Sequence, residues 1–417
     1  MSVVDLGTSK VACLIASLQP LPASAAGPGR THRARVLGVG HHRSRGLKGG
    51  QIVDLELAEQ SIRHAVDAAE RMAGVQVESL IASLPGGRLG SQLFTARVAV
   101  DGRAIGDGAV HRVLEAASAA GSGRGRASLH ALPMGFGVDD AAGVRDPRGM
   151  AGRELGADLH VVSCDAGPAR NLMLAIERCH LGVEALVAAP YAAGLATLTE
   201  DEAELGAAVV DFGAGTTSVG VFQGGRLGHV DAVAVGGLHV TMDVARGLGV
   251  PMAEAERLKT LHGGIAASAS DERDMIALEG GTEDGPPQYV ARAQLVRIVR
   301  PRVEEILELV RDRLTKAGFA AQAGRRVVLT GGGSQLAGLA DLARTYLSGD
   351  ARIGRPTGVD GLPEAARSPA FAAAAGLVAY PQAAGLEHFE PSRGRDAGGL
   401  AGDGYVARVG RWLRESF

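Results

Sequence analysis

Apolar and polar positions along the chain repeat with two periods that replace one another several times. Residues 2–17 read as a β-hairpin: SVVDL, a turn at Gly7-Thr8-Ser9, then KVACLIAS. Short apolar runs bounded by turn residues are a strand signature. The Pro/Ala/Gly stretch 19–30 reads as a loop and 33–42 as a strand. In LELAEQSIRHAVDAAERMA (55–73), Leu57, Ile62, Ala65, Val66 and Ala69 fall at helical spacing. A strand is expected near 77–83.

Residues 84–160 change in texture. They are rich in Gly and Arg, carry short β-like runs such as SQLFTARVAV, and include a loop-like GSGRGRAS at 121–128. This region reads as a small α+β insertion. The main pattern is expected to resume with the strand LHVVSC at 159–164, a helix over about 168–180 and a strand near 183–187. A second strand-turn-strand unit opens at 207, AAVVDFGAGTTSVGVFQGG. Helical patterns cover 238–260 and 293–317, with a polar, loop-rich stretch at 263–289 between them. Strand 326–330 leads into GGGSQLAGLADLARTYL, a turn and a helix. Residues 382–403 are Gly-rich with few apolar positions and read as a flexible linker.

Composition narrows the class. The chain has 417 residues, 46% hydrophobic and 21% charged, with a net charge of −3. These are globular values, and nothing in the overall charge points to nucleic acid. Aromatics make up 3%, so Ala, Gly and Val must fill much of the core. Cys13, Cys164 and Cys179 are odd in number and form no C-x-x-C, which argues against a disulfide framework or zinc site and suits a reducing cytoplasm. No secretory leader is visible, and a strand beginning within two residues of Met1 suggests a natural start upstream. No apolar run reaches the length of a membrane span.

Candidate chemistry begins with a repeat. DLGTSKVACLIA at Asp5 and DFGAGTTSVGVF at Asp211 share one design, 206 residues apart. A strand ends in Asp, a Gly/Thr/Ser turn follows, and a second strand leaves. Two such hairpins suggest two similar halves with phosphates between them. Glycines let the backbone approach, and turn N–H groups and hydroxyls hold phosphate oxygens. The carboxylates would act on Mg²⁺ through water. An ordinary Asp-Gly turn explains one such hairpin equally well; a matched pair is harder to dismiss.

Three further motifs are weaker. VVLTGGGSQLAGL (327–339) runs a strand into Gly331, Gly332 and Gly333 and then a helix. That loop could admit a base or α-phosphate, although a tight strand-helix turn has the same form. It matches neither the Walker nor the Rossmann spacing. AEAERLK (253–259) sets Glu256 and Lys259 at i,i+3, aimed at a ligand's hydroxyls or forming an exposed ion pair. AAPYAAGLATL (188–198) and FAAAAGLVAY (371–380) are small-residue helices suited to a close crossing at a hinge, or to plain tight packing.

Taken in this order, the motifs resemble the superfamily of actin, heat-shock chaperones and sugar kinases. Within it, the chain resembles the FtsA family of bacterial cell-division proteins nearly end to end. SRGLKGGQIVDLE (44–56), AIERCHLGVEALV (175–187), VVDFGAGTTSVGVF, VVLTGGGSQLAGL and the terminal GRWLRESF carry the likeness. The resemblance implies an α/β, actin-like two-lobe fold of duplicated ribonuclease H-like domains, with an inserted α+β subdomain and a C-terminal amphipathic helix. It places the first lobe at 1–83 and 161–197, and the insert at 84–160. The second-lobe core falls at 198–237 and 309–381, and its small subdomain at 238–308. It also implies ATP and Mg²⁺ as cofactors. The nucleotide contacts carry over to Asp5, Gly7, Thr8, Ser9, Lys10, Asp211, Gly213, Gly215, Thr216, Thr217, Glu256, Lys259, Gly331, Gly332 and Gly333, with Asp5 and Asp211 holding Mg²⁺ through water. Phe212 and Ala214 depart from the family's more usual Ile and Gly, which leaves the turnover rate open.

The implied partners are the C-terminal peptide of FtsZ, further copies of the chain in a filament, anionic lipids and other division proteins, at the cytoplasmic face of the inner membrane at the septum. Arg300 and Arg302, flanking Pro301, are candidates for meeting an acidic peptide; a charged helix start is the plainer account of them. The last segment, GYVARVGRWLRESF (404–417), supports a membrane role by its own pattern. At about 100° per residue, Tyr405, Val406, Val409, Trp412, Leu413 and Phe417 share an arc of roughly 140°, with Arg408, Arg411, Arg414 and Glu415 opposite. That is the pattern of an interfacial helix, and a helix docked on the protein's own body has a similar one. A small-molecule kinase would not need this helix, a chaperone would need a large peptide-binding domain after the ATPase, and a pilus-assembly relative shares the insert but not the terminal Trp/Arg pattern.

Overall fold

The computed structural model describes residues 1–22, 31–85, 88–102, 104–119, 125–266, 268, 270–278, 288–320, 325–347, 349–383 and 387–388. β1 (Ser2–Leu6) runs antiparallel to β2 (Lys10–Pro20), and β2 to β3 (His32–Arg43). A short ribbon of β4 (Leu47–Lys48) and β5 (Gln51–Ile52) leads to α1 (Leu55–Ala73). The Asp54 carboxylate caps α1 by accepting from the Leu57 N–H, and Gly74, at φ 70°, ends it. The helix lies directly on β3: a Cβ at Gly40 would stand 1.9 Å from the Ala65 carbonyl oxygen. β6 (Ser79–Leu84) then pairs in parallel with β1.

A separate four-stranded antiparallel sheet follows, formed by β7 (Gly90–Ala99), β8 (Arg126–Val138), β9 (Ala141–Val144) and β10 (Glu154–Asp165) in the order β7-β10-β8-β9. α2 (Asp107–Ala119) covers one face, and Val110, Val113, Leu114, Leu155 and Leu159 build a core of its own. LHVVSC does not resume the main pattern; it is the second half of β10 inside the inserted sheet. Its apolar residues serve two cores: Leu159 and Val161 face the insert's, while Val162 and Cys164 join that of the first lobe. The main pattern resumes with α3 (Ala166–Glu177) and β11 (Gly182–Ala188), which pairs in parallel with β6.

After α4 (Ala189–Thr197) and α5 (Glu200–Leu205) the design repeats. β12 (Ala207–Phe212), β13 (Thr217–Gln223) and β14 (Arg226–Val233) form an antiparallel meander. α6 (Gly237–Leu248) and α7 (Met252–His262) come next. The single helix expected over 238–260 is broken by Gly249, at φ 67°, and Pro251. The ribbon of β15 (Met275–Ala277) and β16 (Tyr289–Ala291) precedes α8 (Arg292–Lys316). β17 (Arg326–Thr330) pairs in parallel with β12 and with β18 (Asp350–Ile353) on either side of α9 (Leu339–Leu347). The order β14-β13-β12-β17-β18 repeats β3-β2-β1-β6-β11 strand for strand, and β19 (Val359–Asp360) adds to the edge of β3.

α10 (Ala372–Ala383) crosses α4 between the two sheets. A Cβ at Gly376 would stand 1.7 Å from the Ala192 carbonyl oxygen, so the small residues are there to let backbones touch. The insert also reaches the second sheet. His160 Nδ1–H donates to the Leu227 carbonyl at 2.8 Å, Ser91 Oγ donates to His160 Nε2 at 2.7 Å, and the Val230 N–H donates to Ser91 Oγ at 3.2 Å. Because a backbone carbonyl can only accept, this chain of bonds fixes the tautomer. Among the described residues no helix is long and apolar enough to cross a membrane. Gln382 and Ala383 still belong to α10. The terminal segment, including Tyr405, Val406, Val409, Arg411, Trp412, Leu413 and Phe417, lies outside the described residues.

Candidate functional site

The duplicated sheets bring their two Asp-bearing hairpins tip to tip. A Cβ on Gly215 would stand 2.5 Å from Thr8 Oγ1, so the turn after Asp5 lies against the turn after Asp211. Asp5 is the last residue but one of β1, where Ser83 Oγ donates to its carboxylate at 2.7 Å and itself accepts from the Leu6 N–H at 2.9 Å. Asp211 occupies the equivalent place in β12, beside Gly331. There a Cβ would stand 2.3 Å from Asp211 Oδ1, and φ is 80°, a conformation that suits glycine.

Lys10 completes this cluster. Its ammonium donates to the Ala370 carbonyl and lies 3.6 Å above the Phe371 ring. Burial pushes its pKa down to about 8 against the pull of Asp5 and Asp211. Burial pushes the Asp211 carboxyl up to about 7, the charge of Asp5 adds to this, and Lys10 opposes it. Asp5 is raised by burial in the same way, against the Ser83 hydrogen bond and Lys10. Two carboxylates that resist ionisation side by side are poised to accept positive charge.

The remaining candidates surround this cluster. The Gly237 N–H donates to the Gly213 carbonyl at 2.9 Å and the Leu238 N–H to that of Ala214 at 2.8 Å, seating the start of α6 on the second turn. Lys259 Nζ donates to Glu256 at 2.7 Å, Thr241 Oγ1 at 2.8 Å and the Gly237 carbonyl at 3.2 Å. Burial raises the Glu256 pKa, but Lys259 and the hydroxyls of Thr241 and Thr260 prevail and hold it below the usual value. The ion pair is thus formed, with the Lys259 side chain largely covered. At the end of α7, Ile265 N–H donates to the Ala337 carbonyl at 2.9 Å, tying this helix to the segment after the triple glycine.

Some candidates do other work. Thr217 is buried and its hydroxyl donates to the Val235 carbonyl at 2.8 Å. A Cβ at Gly333 would strike the Phe212 ring at 2.2 Å, so Gly331 and Gly333 are required by the protein's own packing, whereas Gly332 has room. The triple glycine leads into a 3-10 turn, Gly332–Gln335, and not directly into a helix. Arg302 pairs with Asp243 of α6 at 2.6 Å, and Arg300 with Glu304 at 2.8 Å. No sequence motif marks Ser83, Ala370 or Phe371 for this site; Ser83 alone carries a signal, as a polar position in the apolar run of β6.

The donor set fits Mg²⁺ in the manner that ion prefers. Among the described residues no group of three His, Cys, Asp or Glu could hold a metal. Mg²⁺ commonly takes only one or two carboxylates, keeps several waters and completes its shell with phosphate oxygens. Asp5 and Asp211 could supply that pair.

Comparison with known proteins agrees with this architecture. A family model described as "Cell division protein FtsA" matches residues 208–376, and one described as "SHS2 domain inserted in FTSA" matches 86–163. A protein of Agrobacterium fabrum named "Cell division protein FtsA" is 50% identical over 419 residues, covering 100% of this chain and 95% of that one. Among solved structures, a PilM-PilN type IV pilus biogenesis complex aligns with a TM-score of 0.61 at 17% identity, over 90% of this chain and 97% of that one. MreB5 of Spiroplasma citri bound to ADP aligns with a TM-score of 0.53 at 13% identity, over 90% and 94%. These two share the actin-like fold.

Proposed function

The chain belongs to the FtsA family of cell-division proteins, and we propose that it binds ATP with Mg²⁺ in the cleft between its two lobes, polymerises, and ties the FtsZ ring to the cytoplasmic face of the membrane at the septum. The observation that supports this most strongly is the meeting of the two hairpins, which sets Asp5, Lys10 and Asp211 beneath a pair of Gly/Thr/Ser turns. In this reading Asp5 and Asp211 hold the ion through water. The N–H groups and hydroxyls of Thr8, Ser9 and Thr216 hold phosphate oxygens, Glu256 and Lys259 meet ribose hydroxyls, and Gly332 offers open backbone to the adenosine. Bound Mg²⁺ would neutralise phosphate charge. Lys10 would exchange the Ala370 carbonyl for a phosphate oxygen.

The domain assignment follows the same proposal: a first lobe built on β1–β6, an insert built on β7–β10, and a second lobe whose small part holds α6–α8. The FtsZ peptide would meet that small part near Arg300 and Arg302, competing there with Glu304 and Asp243. Membrane attachment rests on the pattern of residues 404–417. A few partly inserted side chains, each worth ~1.5–3 kcal/mol when fully buried, bind weakly once ordering is subtracted. Copies in a filament bind firmly by avidity. Titration calorimetry with Mg-ATP tests the cleft: Asp211→Ala should weaken binding, and unchanged affinity in the folded variant contradicts the two-hairpin site.

A further inference from the structure

A second concavity lies well apart from the hairpin cleft, between the insert and the second lobe. It is a groove of about 820 Å³ walled by β7, β8, β10 and the turn after β8 on one side, and by β13, β14 and the segment following α8 on the other. Its apolar surface includes Leu93, Met134 and Phe319, and Leu93 is 60% exposed. His229 also lines it. The imidazole stacks on Phe319 with centroids 4.9 Å apart, and its buried Nε2 has no hydrogen-bond partner among the described residues. The charged lining is Asp139, Asp140, Glu154 and Asp158 against Arg97 alone. An acidic rim around an apolar floor fits a basic amphipathic segment.

The chain supplies such a segment close by. Its last described residues are fastened to β8: Glu387 pairs with His130 at 3.2 Å with both side chains fully buried, and the His388 N–H donates to the Ala131 carbonyl at 2.7 Å. Met134 stands three residues along the same strand, about 10 Å away at the rise of a strand. Residues 389–403 can span up to about 50 Å, so residues 404–417 begin within reach of the groove. A short tether gives an effective concentration in the millimolar range.

We propose that residues 404–417 dock in this groove when no membrane is present, with Trp412, Leu413 and Phe417 against Leu93, Met134 and Phe319, and Arg408, Arg411 and Arg414 towards the acidic rim. This rests on the reading of 404–417 as an amphipathic membrane segment. The same apolar face cannot serve lipid and groove at once, so docking holds single copies off the membrane until a lipid surface or neighbouring copies compete for the segment.

Trp412 is the sole tryptophan, so its fluorescence reports on this segment alone. In the lipid-free, nucleotide-free full chain at low concentration, its emission should be blue-shifted and shielded from acrylamide relative to a synthetic 404–417 peptide. Leu93→Glu, at an exposed position, should return both readings to the peptide's values, and Asp140→Arg should move them part of the way. Wild-type readings equal to the peptide's overturn the proposal, as does a blue shift that grows with protein concentration, which would mean docking on a second copy. With vesicles of phosphatidylglycerol and phosphatidylethanolamine, Leu93→Glu should bind about tenfold more tightly than wild type if docked chains outnumber free ones about ten to one. Equal affinities also overturn it. If neither protein binds vesicles, the membrane reading fails, while the lipid-free readings still decide the docking.

Discussion

Asp211→Asn separates what the cleft does for stability from what it does for binding. The Asp211 carboxyl is raised from 3.8 to about 7. Each pKa unit corresponds to 1.36 kcal/mol, so an ionised Asp211 costs the folded protein up to about 4 kcal/mol above pH 7. Part of the residue still touches the cleft's water, which reduces the figure to about 2–4 kcal/mol. A group whose folded pKa lies above its unfolded value binds its proton more tightly when folded. Its stabilising effect is therefore complete below about pH 4 and lost as pH rises through 7. Asparagine keeps the shape, removes the charge, and costs about 1–3 kcal/mol for a buried amide that loses Lys10. In EDTA at pH 8, the variant should lie between about 1 kcal/mol below and about 3 kcal/mol above wild type. At pH 5, where wild-type Asp211 is protonated, any advantage should vanish or reverse. Mg-ATP affinity should fall at least about tenfold, the equivalent of 1.4 kcal/mol. Urea unfolding midpoints at the two pH values, with calorimetry alongside, make the test. An asparagine variant less stable than wild type at pH 8 by more than about 1 kcal/mol, or equal pH slopes for the two proteins, would refute the reasoning.

Gly331→Ala should lose about 2–5 kcal/mol by thermal unfolding, from left-handed strain of about 1–2 and overpacking of about 1–3 against Asp211, while Gly332→Ala should be near neutral. Ser91→Ala leaves His160 Nε2 without its donor and should cost about 1–3 kcal/mol; amide exchange at Val230 should accelerate, and unchanged protection there would show that the insert is held by other contacts. Trp412→Glu should release the protein from anionic liposomes with nucleotide binding intact, whereas Arg411→Glu should weaken attachment by about 1 kcal/mol and be mimicked by salt.

What could be read from the sequence was local. The two hairpins announce themselves because Asp, Gly and Thr must follow one another within one turn. α1 could be placed because its cap, apolar stripe and terminating glycine are all its own. Non-local dependence hid the rest. LHVVSC has the pattern of a buried strand, and nothing within it says that it is shared by two cores. The spacing of residues 238–260 is helical on both sides of the break at Gly249 and Pro251. Lys10 finds Ala370 and Phe371 across 360 residues, a contact that no window along the chain contains. The triple glycine was legible as a turn, but the reason for Gly331 and Gly333 is the packing of Asp211 and Phe212 behind them.

The central claim, that this chain tethers the FtsZ ring to a membrane through its own terminus, is tested most directly on a supported anionic bilayer with fluorescent FtsZ, Mg-ATP and either the full chain or one ending at residue 403. FtsZ should accumulate on the bilayer with the full chain and remain in solution with the shortened one, although both bind Mg-ATP equally. Equal recruitment by the two proteins, or none by the full chain, would contradict the account.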